Sequence, residues 1–347
     1  MPISSDDLAA LSRTSLDDYL KNTPVDQVTQ DQPFINRLLQ GKKPFGGAKQ
    51  YIKENIRKSH DSNFKWAYGE EKITFKKRDT VEQTEFPWRR CVDSIYRSDD
   101  ELFSNGIRVV RGDSGKVRLE KNEKVQLIDQ LNEDQLTLRT GFFEQLNLHC
   151  LRDGTSSPDA IVGLDGIVTL TPTTGTLGNI DRATAKYWRN TAVTDIAPAG
   201  LVDKMEYTWR QCVRYAGGQA PDFILAGADF IDAYRKCLTL TQNVDAGRVK
   251  RLDASTGEGN KTGLFFKGKE IIWDPTFDVL DDLDKPETKW AKRCYFLNMR
   301  NISWREDGYD IFSPDAPHDT LCLYTAVSMR CVLSCNRANS HAVLALA

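Results

Sequence analysis

At 347 residues the chain has material for two domains, or for one body with extensions, and its 40% apolar composition supplies a sizeable core. Forty-seven Lys and Arg against 49 Asp and Glu give a formal net charge of −2, so no global field draws it to nucleic acid or to an anionic membrane. No run approaches the ~18 apolar residues of a membrane span, and the opening MPISSDDLAALSRT has neither a basic n-region nor an apolar h-region, so a cytoplasmic site of synthesis is expected.

Residues 1–40 read as a short helix followed by an arm. Ser4 or Ser5 caps a helix carrying Leu8, Leu11 and Leu16, and Pro24 and Pro33 break up the segment beyond it. The sign of the charge then changes. Six aspartates stand against Arg13 and Lys21 through Asp31, whereas residues 32–60 hold seven Lys and Arg, with Arg37, Lys42 and Lys43 in the lead, against Glu54.

From Pro44 to Ser98 the pattern is that of a long β-hairpin. Ile52 and Ile56 share a parity, Phe64, Trp66 and Tyr68 alternate, Gly69-Glu70 supplies a turn, and Ile73 and Phe75 begin the return. Lys76–Glu85 is a charged tract with almost no core material, and Trp88, Arg90, Val92, Ser94 and Tyr96 mark another alternating strand. A two-stranded ribbon is only marginally stable in water and cannot cover its own aromatic side chains, so this hairpin calls for a partner surface.

Glu123–Leu151 reads as one amphipathic helix. Leu127, Leu131, Leu138, Phe142 and His149 fall on one narrow face, flanked by Ile128, Leu146 and Cys150, while Leu136 and Phe143 lie off the stripe. Nearly thirty residues at about 1.5 Å each exceed the span of an ordinary domain helix.

In residues 157–190 glycines and threonines punctuate short apolar strands, with a loop at Gly175, Gly178 and Asn179 that lacks the spacing of either phosphate-binding glycine motif. Leu201, Met205, Trp209 and Cys212 define a helix ending at Gly217-Gly218, Phe223–Leu225 a buried strand, and Phe230, Ile231, Tyr234 and Cys237 a second helix. Residues 252–263 read as loop. Leu264–Trp273 turns at Gly268, and Asp278, Asp281, Asp282 and Asp284 read as a solvated acidic loop without the glycine and terminal glutamate of a calcium site. Strands at Cys294–Leu297, Ile302–Trp304, Leu321–Leu333 and Ala342–Leu346 complete the sheet content, the last two joined by a turn at Asn336–Ser340.

The eight cysteines lack a C-x-x-C pair and only four histidines, His60, His149, His318 and His341, accompany them. Cys322, Cys331 and Cys335 fall on an alternating strand and read as small buried side chains, so neither zinc nor any other cofactor is expected. His149 reads as a satisfied core histidine.

This order of elements resembles the major capsid proteins of tailed bacteriophages, which share the Hong Kong 97 fold. The likeness runs over essentially the whole chain. It rests on the arm, the hairpin, the long helix, the Gly163-Leu164, Gly178-Asn179-Ile180-Asp181-Arg182 and Trp188-Arg189-Asn190 segments, and Tyr295-Phe296-Leu297-Asn298 before a final strand pair. The resemblance implies an α+β fold with an N-terminal arm (1–44), an extended E-loop hairpin with flanking strands (45–98), a peripheral domain with a long spine helix (99–194), an α/β axial domain (195–300) and C-terminal strands returning to the peripheral domain (301–347). It implies self-assembly into hexameric and pentameric capsomers of an icosahedral head enclosing double-stranded DNA, in a virion assembled in the bacterial host cytoplasm. Phe64, Trp66, Tyr68 and Phe75, and the basic Arg37, Lys42 and Lys43, are then expected at intersubunit contacts. Because only a short arm precedes the hairpin, a separate scaffolding protein is expected. A portal protein is a further partner, decoration proteins are admitted, packaged DNA is contacted non-specifically, and no membrane is involved. Some relatives cross-link a hairpin lysine to an asparagine; Lys65, Lys72, Lys76 and Lys77 are present, but no partner asparagine aligns and the chemistry is not expected here.

Two other classes compete. A cytosolic enzyme needs a convergent polar constellation, and no G-x-S-x-G, H-E-x-x-H or Walker spacing occurs. Another phage structural or DNA-associated protein finds support only in the basic 32–60 stretch, without a reading motif.

Overall fold

A computed structural model describes residues 29–44, 50–72, 74–98, 100, 110–111, 117–118, 121–242, 261–312 and 322–347. The helix expected through Leu8–Leu16 and most of the loop expected at 252–263 lie outside the described residues, as do the side chains of Leu127, Ile128 and Leu131.

The first described helix, α1 (Pro33–Gln40), opens on the proline that the sequence reads as a breaker. Proline at N1 has no N–H to leave unsatisfied and a φ already suited to the helix, so it starts the element. Phe34, Ile35 and Leu38 are buried. Strand β1 (Lys43–Pro44) comes next, then β2 (Tyr51–Arg57), β3 (Val81–Pro87) and β4 (Arg89–Ser98). After the short pair β5 (Val110–Arg111) and β6 (Val117–Arg118) comes α2 (Lys121–Leu151), the long helix expected from periodicity, whose Leu138, Phe142, Leu146 and Cys150 are buried and whose Leu136 is exposed. Instead of a strand, the segment after it forms a helical turn, α3 (Leu164–Ile167), with Leu164 and Ile167 fully buried.

The remainder comprises β7 (Thr176–Leu177), β8 (Ile180–Asp181), β9 (Thr191–Ile196), α4 (Leu201–Tyr215), β10 (Phe223–Ala226), α5 (Ala228–Gln242), β11 (Lys261–Phe266), β12 (Lys269–Trp273), α6 (Thr276–Asp284), β13 (Arg293–Leu297), β14 (Ile302–Phe312), β15 (Cys322–Cys335) and β16 (Ala342–Leu346). The aspartate run is therefore helical. Asp281 accepts the backbone N–H groups of Trp290 (2.6 Å) and Ala291 (3.0 Å), and Asp284 accepts from Nε and Nη2 of Arg152 at 2.8 and 2.6 Å. These bonds hold carboxylates that composition alone assigns to solvent.

The chain divides into two units. Among the described residues, the first contains 90–146 and 308–329. Within it Phe143 packs edge-on against Phe142 (5.7 Å) and Tyr309 (6.0 Å), the Arg139 guanidinium lies 5.5 Å from the Tyr309 ring, and Tyr96 meets Tyr324 at 6.4 Å. Phe143, though off the stripe, is thus partly covered.

The second unit contains 31–89, 147–307 and 330–347 and is built on a six-stranded sheet in the order β11-β12-β10-β13-β16-β9. β10 pairs parallel with β12 and β16 with β9; the other neighbours are antiparallel. Lys267 and Gly268 join β11 to β12 with φ of +50° and +78°, the left-handed pair that a two-residue hairpin turn requires. On one face of the sheet Trp209 of α4 sits 5.7 Å from both Phe266 and Phe296, with Met205, Cys212, Phe230 and Tyr234 around them. The opposite face carries Tyr295, edge-on to Phe277 (5.9 Å) and tilted against Trp290 (6.1 Å).

Gly227 joins β10 to α5 where the chain runs against residue 291. A Cβ there would lie 2.5 Å from the Cα and 2.6 Å from the carbonyl carbon of Ala291, too close for any side chain. Gly141, inside α2, has nothing within 4 Å of such a Cβ. The two glycines therefore answer substitution with opposite signs. Gly227→Ala is expected to destabilise the unassembled chain by about 1–3 kcal/mol through forced backbone displacement, and Gly141→Ala to stabilise it by roughly 0.5–1 kcal/mol through helix propensity. Urea unfolding of the two variants side by side checks both.

Candidate assembly surface

The hairpin has a base and a tip of different character. At the base β2 and β3 form a seven-rung antiparallel ladder from Tyr51↔Pro87 to Arg57↔Val81. Five of the seven residues of β3 fall in the charged tract that the sequence reads as coreless; Glu82, Thr84 and Phe86 share the covered face, where Glu82 accepts the Tyr187 hydroxyl, and Glu85 alternates away. One face is anchored: Ile56, Thr84 and Phe86 are buried, and the Glu85 N–H donates to the Gly178 carbonyl at 3.0 Å.

Beyond the base, the described residues of 58–80 run as two arms to a turn at Gly69-Glu70, and past the Lys58 N–H bond to the Thr80 carbonyl (2.9 Å) no backbone ladder joins those described. Side chains replace it. Asn63 Nδ2 donates to the Thr74 carbonyl (2.7 Å), Lys65 Nζ to the Lys72 carbonyl (3.0 Å), and ion pairs Lys58–Asp79 (2.6 Å) and Lys76–Asp61 (2.9 Å) tie the arms together. Phe64, Trp66, Tyr68 and Phe75 stand 75, 88, 96 and 93% exposed, and Phe64 lies edge-on to Trp66 at 5.4 Å. Each such side chain carries roughly 150–250 Å² whose burial is worth about 25 cal/mol/Å². The tip is an uncovered apolar patch on a polar stem.

The basic trio lies elsewhere in the same unit, and each member already has a partner in the chain. Arg37 meets Asp222 at 3.4 Å, Lys42 meets Glu306 at 2.8 Å, and Lys43 Nζ donates to Ser303 Oγ at 2.9 Å. These contacts fasten α1 and β1 to the body, a role that the run of positive charge gives no means of foreseeing. The Arg37 and Lys42 side chains keep 41 and 58% of their surface exposed.

No group of three or more His, Cys, Asp or Glu among the described residues is placed to hold a metal. Burial pushes the Cys212 and Cys335 thiols up to about 12. His149 is half-buried, its pKa lowered by burial and by Arg152. Arg293 links Asp165 (3.2 Å), the Tyr295 hydroxyl (3.3 Å) and the Trp290 ring (4.2 Å), a bridge between α3 and the sheet.

No protein-family model and no curated protein sequence matches the chain. Solved structures do. The capsid asymmetric unit of Cyanophage A-1(L) superposes with a TM-score of 0.60 at 15% identity, over 93% of this chain and 96% of that one. The capsid of Myoviridae Phage XM1 gives 0.56 at 13% identity over 94 and 97%, and a chain of Mycobacterium phage Ogopogo 0.54 at 11% over 96 and 99%. The chain has the Hong Kong 97-like fold of tailed-phage capsid proteins. At such identities the likeness is one of fold, not of individual residues.

Two sealed groups give the unit a pH signature. His341 is fully buried and its Nδ1 accepts the Asn298 N–H at 3.2 Å, while burial holds its pKa down to about 3. Asp274 is fully buried with Oδ1 accepting the Thr276 N–H (3.0 Å), and burial raises its pKa to about 6. A histidine kept neutral in the fold lets the unfolded chain bind the extra proton, so its contribution is complete above the ordinary histidine range and is lost as pH falls toward 3. A carboxyl with raised pKa does the reverse, since the folded chain holds the proton between about 4 and 6, and its contribution is lost as pH rises through that window. The lowered His149 adds to the first slope and the raised Asp165 and Asp278 to the second. Between pH 4 and 6 His341→Asn should make the slope of stability against pH more negative and Asp274→Asn more positive, each by up to about 1.4 kcal/mol per pH unit. Urea midpoints at pH 4.5 and 5.5 measure it; equal slopes in both variants would refute the assignment.

Proposed function

We propose that the chain is a major capsid protein whose activity is self-association into hexameric and pentameric capsomers, and then into an icosahedral phage head around double-stranded DNA. The observation that carries this reading is the hairpin tip: four aromatic side chains, each at least three-quarters exposed, on an extension of a chain whose fold matches a phage capsid structure over 93% of its length. One subunit cannot cover them, and a second copy offers repeated apolar surface at no sequence cost.

In this reading the arm is 1–44, the E-loop and its flanking strands 45–98, the peripheral domain 99–194, the axial domain 195–300, and 301–347 return to the peripheral domain. Phe64, Trp66, Tyr68 and Phe75 contact the neighbouring subunit, and the exposed flanks of Arg37, Lys42 and Lys43 add to that contact. The protein performs no catalysis. A separate scaffolding protein guides assembly in the host cytoplasm, a portal protein occupies one vertex, and DNA is met non-specifically. No helix among the described residues is long and apolar enough to cross a membrane.

Negative-stain microscopy and sedimentation of the expressed chain, with and without the neighbouring phage genes, test the proposal. Capsomers or shells are expected; a monodisperse monomer across salt, concentration and scaffold addition would sink it. Trp66→Ala should leave far-ultraviolet dichroism unchanged, because no core residue touches that ring, yet weaken each subunit contact by about 1–3 kcal/mol. Trypsin should cut at Lys76, Lys77 or Arg78 in free subunits and be excluded from them in shells. Equal cleavage in both states would place the hairpin outside the contact.

A further inference from the structure

The base of the hairpin, the turn at Lys186–Trp188, the C-terminal end of α4 and the loop after β15 line a cleft of about 1290 Å³ in the second unit. Its walls are basic. Two of the cations are engaged, Lys58 by Asp79 and Arg189 by the carbonyls of Arg182 and Ala183 at 2.6 Å each. Arg57, Lys186, Arg214 and Arg337 also line it, and all four are exposed. Among the described residues no ion pair joins any of the four to a carboxylate, and the cleft's own acid, Glu54, is held by Arg305 at 3.5 Å. Four like charges around one concavity raise the local potential and favour an anionic occupant.

The lining also distinguishes one anion from another. Asn336 and Asn339 present carboxamides, each a donor and an acceptor together, and Tyr215 presents a half-exposed ring. A peptide matches that set with carboxylates for the cations and backbone N–H and C=O for the amides. The sugar–phosphate backbone of DNA offers acceptors alone, so the amide oxygens gain nothing from that backbone.

Three stretches of this chain are rich in aspartate. One is α6, whose Asp281 and Asp284 are already bonded within the subunit. A second, with Asp307, Asp310, Asp315 and Asp319, lies on β14 and its connection to the paired strand β15. The third and longest is residues 1–28, with Asp6, Asp7, Asp17, Asp18 and Asp26 against Arg13 and Lys21. We infer that the basic cleft receives the aspartate-rich residues 1–28 of a second copy of this chain. The inference rests on the proposed self-association, but its first test needs no shell.

A labelled synthetic peptide of residues 1–28 is titrated against the unassembled full-length chain and followed by fluorescence anisotropy. Saturable binding that weakens with salt is expected, and Lys186→Glu with Arg337→Glu should weaken it by roughly tenfold or more. A peptide with its five aspartates changed to asparagine that bound equally well, or a double variant that bound the parent peptide unchanged, would overturn the inference. So would a DNA oligonucleotide that bound the cleft more tightly than the peptide, which would assign it to nucleic acid. The second test separates copies. The Lys186→Glu/Arg337→Glu chain and an Asp17→Lys/Asp18→Lys chain should each associate poorly alone, and their mixture should regain association, because each then finds its opposite charge on the other. A mixture no better than either component would place the contact within one chain and refute the role of the second copy. If the peptide binds and the mixture rescues while no shells ever form, the cleft assignment stands and the capsid reading falls.

Discussion

A strand with no water on either face must satisfy every N–H and C=O within its own sheet, since each orphaned group costs on the order of 1–3 kcal/mol. β10, β13 and β16 meet that condition side by side, with Leu225 opposite Tyr295 and Tyr295 opposite Val343. Alternation then sends their side chains into two separate cores. Ile224, Ala226, Cys294, Phe296 and Leu344 face the helices α4 and α5, and on the other side Tyr295 faces Phe277 and Trp290. The third of these strands comes from residues 342–346, so the sheet closes only when almost the whole chain has been placed. Contacts of such sequence separation must be reached before they stabilise anything, which makes this unit slow to assemble and cooperative once assembled.

The hairpin obeys a different rule. Its base is fixed by a ladder and three buried side chains, but its arms depend on exposed ion pairs and on lysine and asparagine side chains reaching across to carbonyls. Exposed ion pairs contribute between nothing and about 1 kcal/mol each. The arms are therefore held in place weakly, while the aromatic tip keeps its full apolar surface. Stability of the body and the exposed apolar surface of the extension reside in different residues, and a change in one need not disturb the other.

Periodicity made the long helix, the α4–β10–α5 run and the closing strands legible, because in each the apolar residues recur at the element's own period and meet a core that agrees. The errors have local causes. Pro33 looks like a breaker until Phe34, Ile35 and Leu38 are seen to be buried behind it, when it becomes an N1 residue. The aspartates of α6 look solvated because composition cannot show that Asp281 caps the backbone at Trp290 and Ala291. β3 is hidden among Glu82, Glu85 and their neighbours because its inward residues include a threonine, Thr84, which a hydrophobic count passes over.

Charge was the least legible property, and the reason is geometric. The seven cations of residues 32–60 form a basic stretch in one dimension only: Arg37, Lys42, Lys53 and Lys58 each meet a carboxylate of the same chain, and Lys43 meets a serine. Lys49 lies outside the described residues. What remains is Arg57, and it stands in a cleft with Lys186, Arg214 and Arg337, drawn from four distant parts of the chain. At an ionic strength near 0.1 M a charge is felt over about 10 Å, a distance that the fold spans between residues hundreds of positions apart. Local neutralisation therefore erases the basic segment that the sequence displays, and folding assembles a basic surface that no window of the sequence contains.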